Sequence, residues 1–184
     1  LRTMRKSGLG SNALERSGDM NNLEIPVGTS DFAEIRQNGY YYVDKTVLIS
    51  ELLKTASNKV TLITRPRRFG KSLGMSMLEN FFDIRKDSRT LFAGLEISQN
   101  KALCDEWMNQ YPTISVSFSR VFGLNYTKAY DMLTMVIADL FNKHLYLIQD
   151  GKGTDFENST FKHLADGCAS EKEIKSSFLL LTGM

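Results

Sequence analysis

The stretch KVTLITRPRRFGKS, residues 59–72, decides the fold that the sequence predicts. Its opening segment, Lys59–Thr64, is β-branched and mostly apolar, which is typical of a strand buried on both faces of a parallel sheet. The loop Arg65–Phe69 follows, and from Lys71 the apolar residues recur at helical spacing. A strand, a turn and a helix in this order can bind phosphate, because the N-terminus of the helix then faces the anion.

The loop contains the residue types that phosphate binding requires. Gly70 has no Cβ, so the backbone can approach the phosphate oxygens closely. The Lys71 ammonium can reach the β and γ phosphates, and the Ser72 hydroxyl can ligate the Mg²⁺ that accompanies them. Arg67 and Arg68 add guanidinium groups, which bind phosphate oxygens in a bidentate geometry. The alternative is a basic surface turn followed by an ordinary helix.

One position departs from the usual pattern of phosphate-binding P-loops, G-x-x-x-x-G-K-[ST]. Arg65 stands where that pattern has its first glycine. A non-glycine residue in the left-handed conformation loses roughly 1–2 kcal/mol. Because Arg65 precedes Pro66, we expect it to keep a negative φ and an extended geometry. We therefore expect the backbone at the start of this loop to differ from that of a P-loop that begins with glycine.

The remaining sequence predicts helices and one further strand. Thr113–Phe118 (TISVSF) has the alternation of a second strand. Ser30 or Asp31, Asp44 and Asn125 are candidate helix caps. Two strands separated by helices predict an α/β layer fold with parallel strands. Helices are expected at about residues 31–36, 45–57, 71–82, 88–91, 100–108, 128–148, 156–168 and 171–181.

Composition excludes several classes of protein. The 184 residues, 42% hydrophobic and 24% charged, suit one globular domain or one domain with an appendage. The formal net charge of +2 gives no global case for nucleic-acid or membrane binding. No apolar run approaches the ~20 residues of a membrane helix, and residues 1–22 contain no secretory signal. Cys104 and Cys168 lack zinc or disulfide spacing. We expect a cytoplasmic protein with a flexible N-terminal extension, residues 1–22.

Three segments in order resemble the predicted AAA-ATPase-like family of bacterial proteins. RPRRFGKS, residues 65–72, resembles the Walker A loop of that family. The segment IPVGTSDFAEIRQNGYYYVDKT, which starts at Ile25, is similar to the family's entry segment, and YPTISVSFS, which starts at Tyr111, to its second strand. The resemblance covers about residues 24–148 and makes Arg65 a family feature.

This resemblance implies a P-loop NTPase fold of the ASCE, AAA-like class, in which helices flank a parallel sheet, with ATP and Mg²⁺ as ligands. Residues 23–184 would be the N-terminal part of such a domain. Longer members often carry a C-terminal PD-(D/E)XK nuclease-like domain. The resemblance also places Asp44 and Lys45 near the nucleotide. From the residues alone, Asp44 can equally be a helix cap, and both roles stay open.

No catalytic residue is assigned. Hydrolysis needs an acidic Walker B residue at the end of an apolar strand, and Asp105-Glu106 is predicted on an exposed helix face instead. We therefore expect a truncated ATPase domain that hydrolyses ATP poorly and self-associates through its open sheet edge. Ser72 is the predicted metal ligand, through the Mg²⁺ of the nucleotide. The predicted nucleotide contacts are Pro66, Arg67, Arg68, Phe69, Gly70, Lys71, Ser72, Leu73 and Asp44.

Two other functions remain open. The cluster of Arg65, Arg67, Arg68 and Lys71 could bind nucleic-acid phosphates, with an affinity that falls steeply with salt. The near-zero net charge argues against this function. The chain could also be a protein-interaction scaffold that keeps the fold without turnover.

Overall fold

The computed structural model describes residues 24–54, 60–149 and 153–184, and these residues are mainly helical. A 3₁₀ helix, Glu96–Gln99, lies between the fourth and fifth α-helices. The helices predicted from the sequence are present, although the longest ends at Lys143 and a separate short helix follows. The α-helices are α1 Phe32–Gln37, α2 Val47–Lys54, α3 Lys71–Phe82, α4 Arg89–Phe92, α5 Lys101–Trp107, α6 Tyr126–Lys143, α7 Tyr146–Gln149, α8 Asp155–Ala165 and α9 Glu171–Gly183.

The predicted parallel sheet is wrong. In the part of the chain that the structure describes, the β-type pairing consists of one isolated parallel bridge, between Asp83 and Tyr111. Residues 60–64 and 113–118, predicted as strands, have no regular secondary structure, and Lys59 lies outside the described residues. The α/β fold of the ASCE, AAA-like P-loop class, with its sheet flanked by helices, is therefore not supported.

The reason is that a strand depends on partners distant in sequence. β-branched residues favour extended backbone, but cross-strand hydrogen bonds and side-chain pairs stabilise a sheet. No backbone group of residues 60–64 pairs with another described residue. Val60 and Leu62 are each 84% exposed, whereas the strand prediction required burial on both faces. Self-association through an open sheet edge stays a prediction. The sheet on which that prediction was based is not present in the described residues.

The chain divides into two compact units, the first ending at Thr113 and the second starting at Ile114. The predicted domain, residues 23–184, spans both, and the predicted extension, residues 1–22, lies outside the described residues. In the first unit, the Phe92 ring lies 4.8 Å from that of Phe32 and 5.3 Å from that of Phe81, between centroids. The rest of its buried core consists of Ile49, Met77, Leu91, Leu95, Ile97 and Met108.

Helix α3 is held in this core at its C-terminal end. The Asn109 side-chain amide donates hydrogen bonds to the carbonyl oxygens of Asn80 and Asp83, and its backbone N–H donates to that of Phe81. The other end of α3 begins at Lys71, whose side chain is exposed. The core therefore fixes the direction of α3 and leaves its N-terminus at the surface.

The second unit is built from α6, α8 and α9. Phe141 of α6 packs its ring edge-to-face against Phe161 of α8, with the centroids 4.7 Å apart. Asn125 caps α6 as predicted, and Thr154 and Ser170 start α8 and α9 with capping boxes. The other buried apolar residues are Ile137, Leu140, Leu164, Ala165, Ile174 and Leu181.

Candidate functional site

The predicted phosphate loop leads directly into α3 through Gly70. Gly70 is the N-cap residue of that helix and has φ 74° and ψ 25°, a left-handed conformation. Glycine adopts it without the steric penalty that a Cβ imposes. A Cβ on Gly70 would meet only the Lys45 Nζ, at 3.4 Å. The backbone conformation, rather than crowding, therefore requires glycine at this position.

The N-terminus of α3 leaves its backbone donors open. Gly70 provides no side-chain cap, and the first turn contains no acidic residue. The N–H groups of Gly70, Lys71 and Ser72 donate no hydrogen bond to another residue in the described ranges. Unsatisfied donors and the positive end of the helix dipole together attract an anion. The sequence correctly located this helix start.

Lys71 extends its ammonium over the loop. Its Nζ donates hydrogen bonds to the carbonyl oxygens of Arg65, at 2.6 Å, and Pro66, at 2.9 Å. Within the described ranges it forms no ion pair. Because an ammonium carries three donors, one N–H remains for a phosphate oxygen.

The loop contains a left-handed arginine, Arg68, with φ 68°. Arg65 does not have a positive φ, as predicted from its position before Pro66. No sequence signal marks Arg68, since non-glycine residues rarely adopt this conformation. Arg65, Arg67 and Arg68 are all exposed, and none forms an ion pair with another described residue.

We expect Arg68→Gly to raise the free energy of unfolding by up to about 1.6 kcal/mol. The left-handed backbone costs an arginine about 1–2 kcal/mol, and the greater freedom of glycine in the unfolded chain offsets about 0.4–1 kcal/mol of that gain. Arg67→Gly removes the same charge where φ is not positive, so it should lower the free energy of unfolding by about 0.4–1 kcal/mol. Denaturant unfolding of both variants measures the difference. Equal effects would contradict the strain assigned to Arg68.

A second ammonium reaches the loop from outside it. Lys45 Nζ donates to the carbonyl oxygen of Phe69 at 3.4 Å, across 24 residues of sequence. The family resemblance placed Lys45 near the nucleotide, but Lys45 was not among the predicted contacts. Spacing alone could not have joined it to the loop, because the intervening chain includes α2.

Asp44 binds backbone groups of the protein. Its Oδ1 accepts hydrogen bonds from the Thr46 N–H, at 2.8 Å, and the Thr46 hydroxyl, at 2.7 Å, while its Oδ2 accepts from the Glu96 N–H, at 2.7 Å. Partial burial acts to raise the pKa of Asp44, but these hydrogen bonds outweigh it, so the pKa lies below its ordinary value. These bonds to Thr46 form a turn ahead of α2, which begins at Val47, so Asp44 precedes the cap position of that helix and the predicted capping role is not confirmed. Contact between Asp44 and a nucleotide stays a prediction.

The other predicted contacts lie around the start of α3. Phe69 is 59% exposed, and Pro66 and Ser72 are exposed as well. Leu73 packs against the core of the first unit, so only its backbone can serve a ligand. The Ser72 hydroxyl has no hydrogen-bond partner in the parts of the chain described, which leaves it able to bind a metal ion.

Other kinds of site find no support in residues 24–54, 60–149 and 153–184. These ranges contain no group of three or more His, Cys, Asp or Glu that could hold a metal ion, and none of their helices combines the length and apolarity needed to cross a bilayer. Cys104 and Cys168 are free thiols, and burial raises the pKa of Cys104. Asp105 and Glu106 are exposed on α5, as predicted.

Comparison with known proteins identifies a family. Residues 26–181 match the family model described as predicted AAA-ATPase. An uncharacterized protein in the vnfD 5' region of Azotobacter chroococcum mcd 1 is 34% identical over 100 residues. This match covers 54% of the chain and 18% of that protein, so the chain spans less than a fifth of this relative's length. No solved structure matches significantly.

Proposed function

The chain belongs to the family of predicted AAA-ATPases, and from this premise we propose that residues 65–72 bind the phosphates of ATP together with Mg²⁺. The observation that carries the proposal is the open N-terminus of α3, with the Lys71 ammonium held over the adjoining loop. Anions bind where unsatisfied N–H groups and a helix dipole point at them.

Lys71 contributes most to the proposed affinity. An exposed helix N-terminus stabilises an anion by about 0.3–1 kcal/mol. An ammonium and a phosphate oxygen ~4 Å apart attract by about 4 kcal/mol at an effective dielectric constant near 20, before desolvation is counted. The loop amides mainly orient the phosphate. Because micromolar affinity requires about −8 kcal/mol, contacts with the base and ribose must contribute as well.

Ser72 is the proposed protein ligand of Mg²⁺. It is the second residue of α3, so its hydroxyl lies in the helical turn next to the proposed phosphate site. Mg²⁺ in nucleotide sites keeps several water ligands and takes the others from phosphates and one or two side chains. A single hydroxyl is therefore sufficient on the protein side.

We propose nucleotide binding rather than turnover for this chain. Hydrolysis requires an acidic side chain that holds the metal and positions water. Asp44 uses both carboxylate oxygens to bind backbone N–H groups, and Asp105 and Glu106 are exposed on α5. Asp44 is thus engaged by the protein's own backbone, and Asp105 and Glu106 lie on a helix rather than at the end of an apolar strand, where such an acid is expected.

A calorimetric titration of the wild-type chain with ATP tests the proposal. We expect saturable binding when Mg²⁺ is present, weaker binding when it is chelated, and much weaker binding of AMP, which lacks the β and γ phosphates. No heat of binding at millimolar Mg·ATP would contradict the proposal.

Nucleic-acid binding is the second candidate, supported by the three exposed arginines without ion pairs in the described ranges. Contact with single-stranded DNA through Arg65, Arg67, Arg68 and Lys71 would give a plot of log affinity against log salt with a slope near −3, at about −0.7 per phosphate. Titration with a 20-nucleotide oligomer distinguishes the candidates. Oligomer binding unaffected by saturating Mg·ATP would favour this function over the first.

A further inference from the structure

Lys45 carries a positive charge to a loop that is already strongly basic. Residues 65–73 contain Arg65, Arg67, Arg68 and Lys71 and no acidic residue. Lys45 Nζ lies 3.4 Å from the Phe69 carbonyl oxygen and forms no ion pair within the described ranges. Like charges gathered on one loop repel each other, so the arrangement is unfavourable unless an anion binds among them.

The backbone on both sides of Lys45 is fixed. Asp44 accepts hydrogen bonds from Thr46 and from the Glu96 N–H at the start of the 3₁₀ helix. Thr46 is fully buried, and its hydroxyl accepts a hydrogen bond from the Ile97 N–H. The Lys45 carbonyl oxygen accepts the Leu48 N–H in the turn that opens α2. Hydrogen bonds therefore hold the backbone on both sides of the lysine.

We propose that Lys45 is a second phosphate-binding cation of the site and that Asp44 is a positioning residue, which holds Lys45 in reach of the loop. This inference rests on the proposed nucleotide binding and adds a subsite to it. Lys71 lies in the first turn of α3 and Lys45 lies two residues before α2, and the ammonium group of each donates to carbonyl oxygens of the same loop. A chain of phosphates is the anion that such a pair fits.

The competing explanation is that Lys45 only supports the loop by binding the Phe69 carbonyl oxygen. At 3.4 Å this hydrogen bond is long, and N–H···O bonds in proteins are mostly about 2.9–3.0 Å. An ammonium also has two further donors. If Lys45 only supported the loop, replacing it would change the stability of the loop. It would not change the affinity for ATP more than the affinity for AMP.

Calorimetric titration of Lys45→Ala with Mg·ATP and Mg·AMP tests the proposal. We expect ATP affinity to fall about tenfold to a hundredfold, as for loss of a hydrogen bond to a charged group, and AMP affinity to fall much less. Lys45→Arg, which keeps the charge, should restore part of the loss. Lys54→Ala is the control, because Lys54 is an exposed lysine at the far end of α2. The proposal is overturned if Lys45→Ala and Lys54→Ala bind ATP equally well.

A measurement on the wild-type chain covers the case in which Lys45→Ala does not fold. Acetylation of lysines, followed by mass spectrometry, should show Lys45 protected by Mg·ATP and Lys54 modified equally with and without it. If calorimetry shows that the wild-type chain binds ATP but Lys45 is acetylated equally with and without Mg·ATP, the proposal is rejected. If wild type binds no ATP, the proposed function and this inference fail together.

The positioning role of Asp44 has its own test, a double-mutant cycle. Asp44→Asn should weaken ATP binding in the wild-type background and have little further effect in the Lys45→Ala background, because Asp44 acts through Lys45. Equal fold-losses in both backgrounds would show that Asp44 acts independently of Lys45 and would overturn this part of the proposal.

Discussion

Replacing Lys71 by alanine is expected to weaken Mg·ATP binding by about a hundredfold and to leave the fold intact. A hydrogen bond between charged groups contributes about 1.5–3 kcal/mol, and the Lys71 ammonium is already held over the loop by the carbonyl oxygens of Arg65 and Pro66. Little side-chain entropy is therefore lost when the phosphate binds. Calorimetry at fixed ionic strength measures the change in affinity.

Lys101→Ala is the matched control for this variant. Lys101 is the first residue of α5, as Lys71 is of α3, and both side chains are exposed. The two substitutions thus remove the same charge from the same helical position. Comparable losses in both variants would point to nonspecific electrostatics, and binding by Lys71→Ala within about twofold of wild type would contradict the proposed role.

Replacing Phe81 by alanine should lower the free energy of unfolding by about 3–5 kcal/mol, the usual range for a buried phenylalanine. The Phe81 side chain is fully buried and packs edge-to-face against Phe82 and Phe92, with ring centroids 5.0 and 5.3 Å away. It lies at the end of α3 opposite the loop, so the helix that carries the site depends on it. A loss of this size is comparable with the whole stability of many small domains.

Denaturant unfolding followed by tryptophan fluorescence measures this effect. Trp107 is the one tryptophan of the sequence; it packs against the first unit's core and stacks on Tyr111, so it reports on that unit. Phe122→Ala is the control, because Phe122 is 72% exposed and should change stability by less than about 0.5 kcal/mol. If Phe81→Ala unfolds at the wild-type denaturant concentration, the described core is wrong.

The helices could be predicted from the sequence because their signals are local. Asp31, Asn100 and Asn125 accept hydrogen bonds from N–H groups two or three residues later, and each starts a helix near its predicted position. Such a cap and the apolar spacing that follows it lie within a few residues of each other. The position of each helix can therefore be predicted from neighbouring residues, while packing against the rest of the unit stabilises it.

The sheet could not be decided in the same way. The β-branched pattern of residues 60–64 predicted a strand, and this prediction was wrong, because strand pairing depends on partners that no local pattern contains. The same limit applies to the site. The loop and the start of α3 were located from contiguous residues, whereas the approach of Lys45 depends on how α2 packs. The left-handed conformation of Arg68 could not be predicted from its residue type.

The most direct test of the account is an amide proton–nitrogen NMR titration of the labelled chain with Mg·ATP. The account predicts that the largest shift changes occur at the backbone amides of Gly70, Lys71 and Ser72 and that Lys71→Ala greatly reduces them at the same ATP concentration. Unchanged signals for these three amides, with changes confined to another part of the chain, would contradict it.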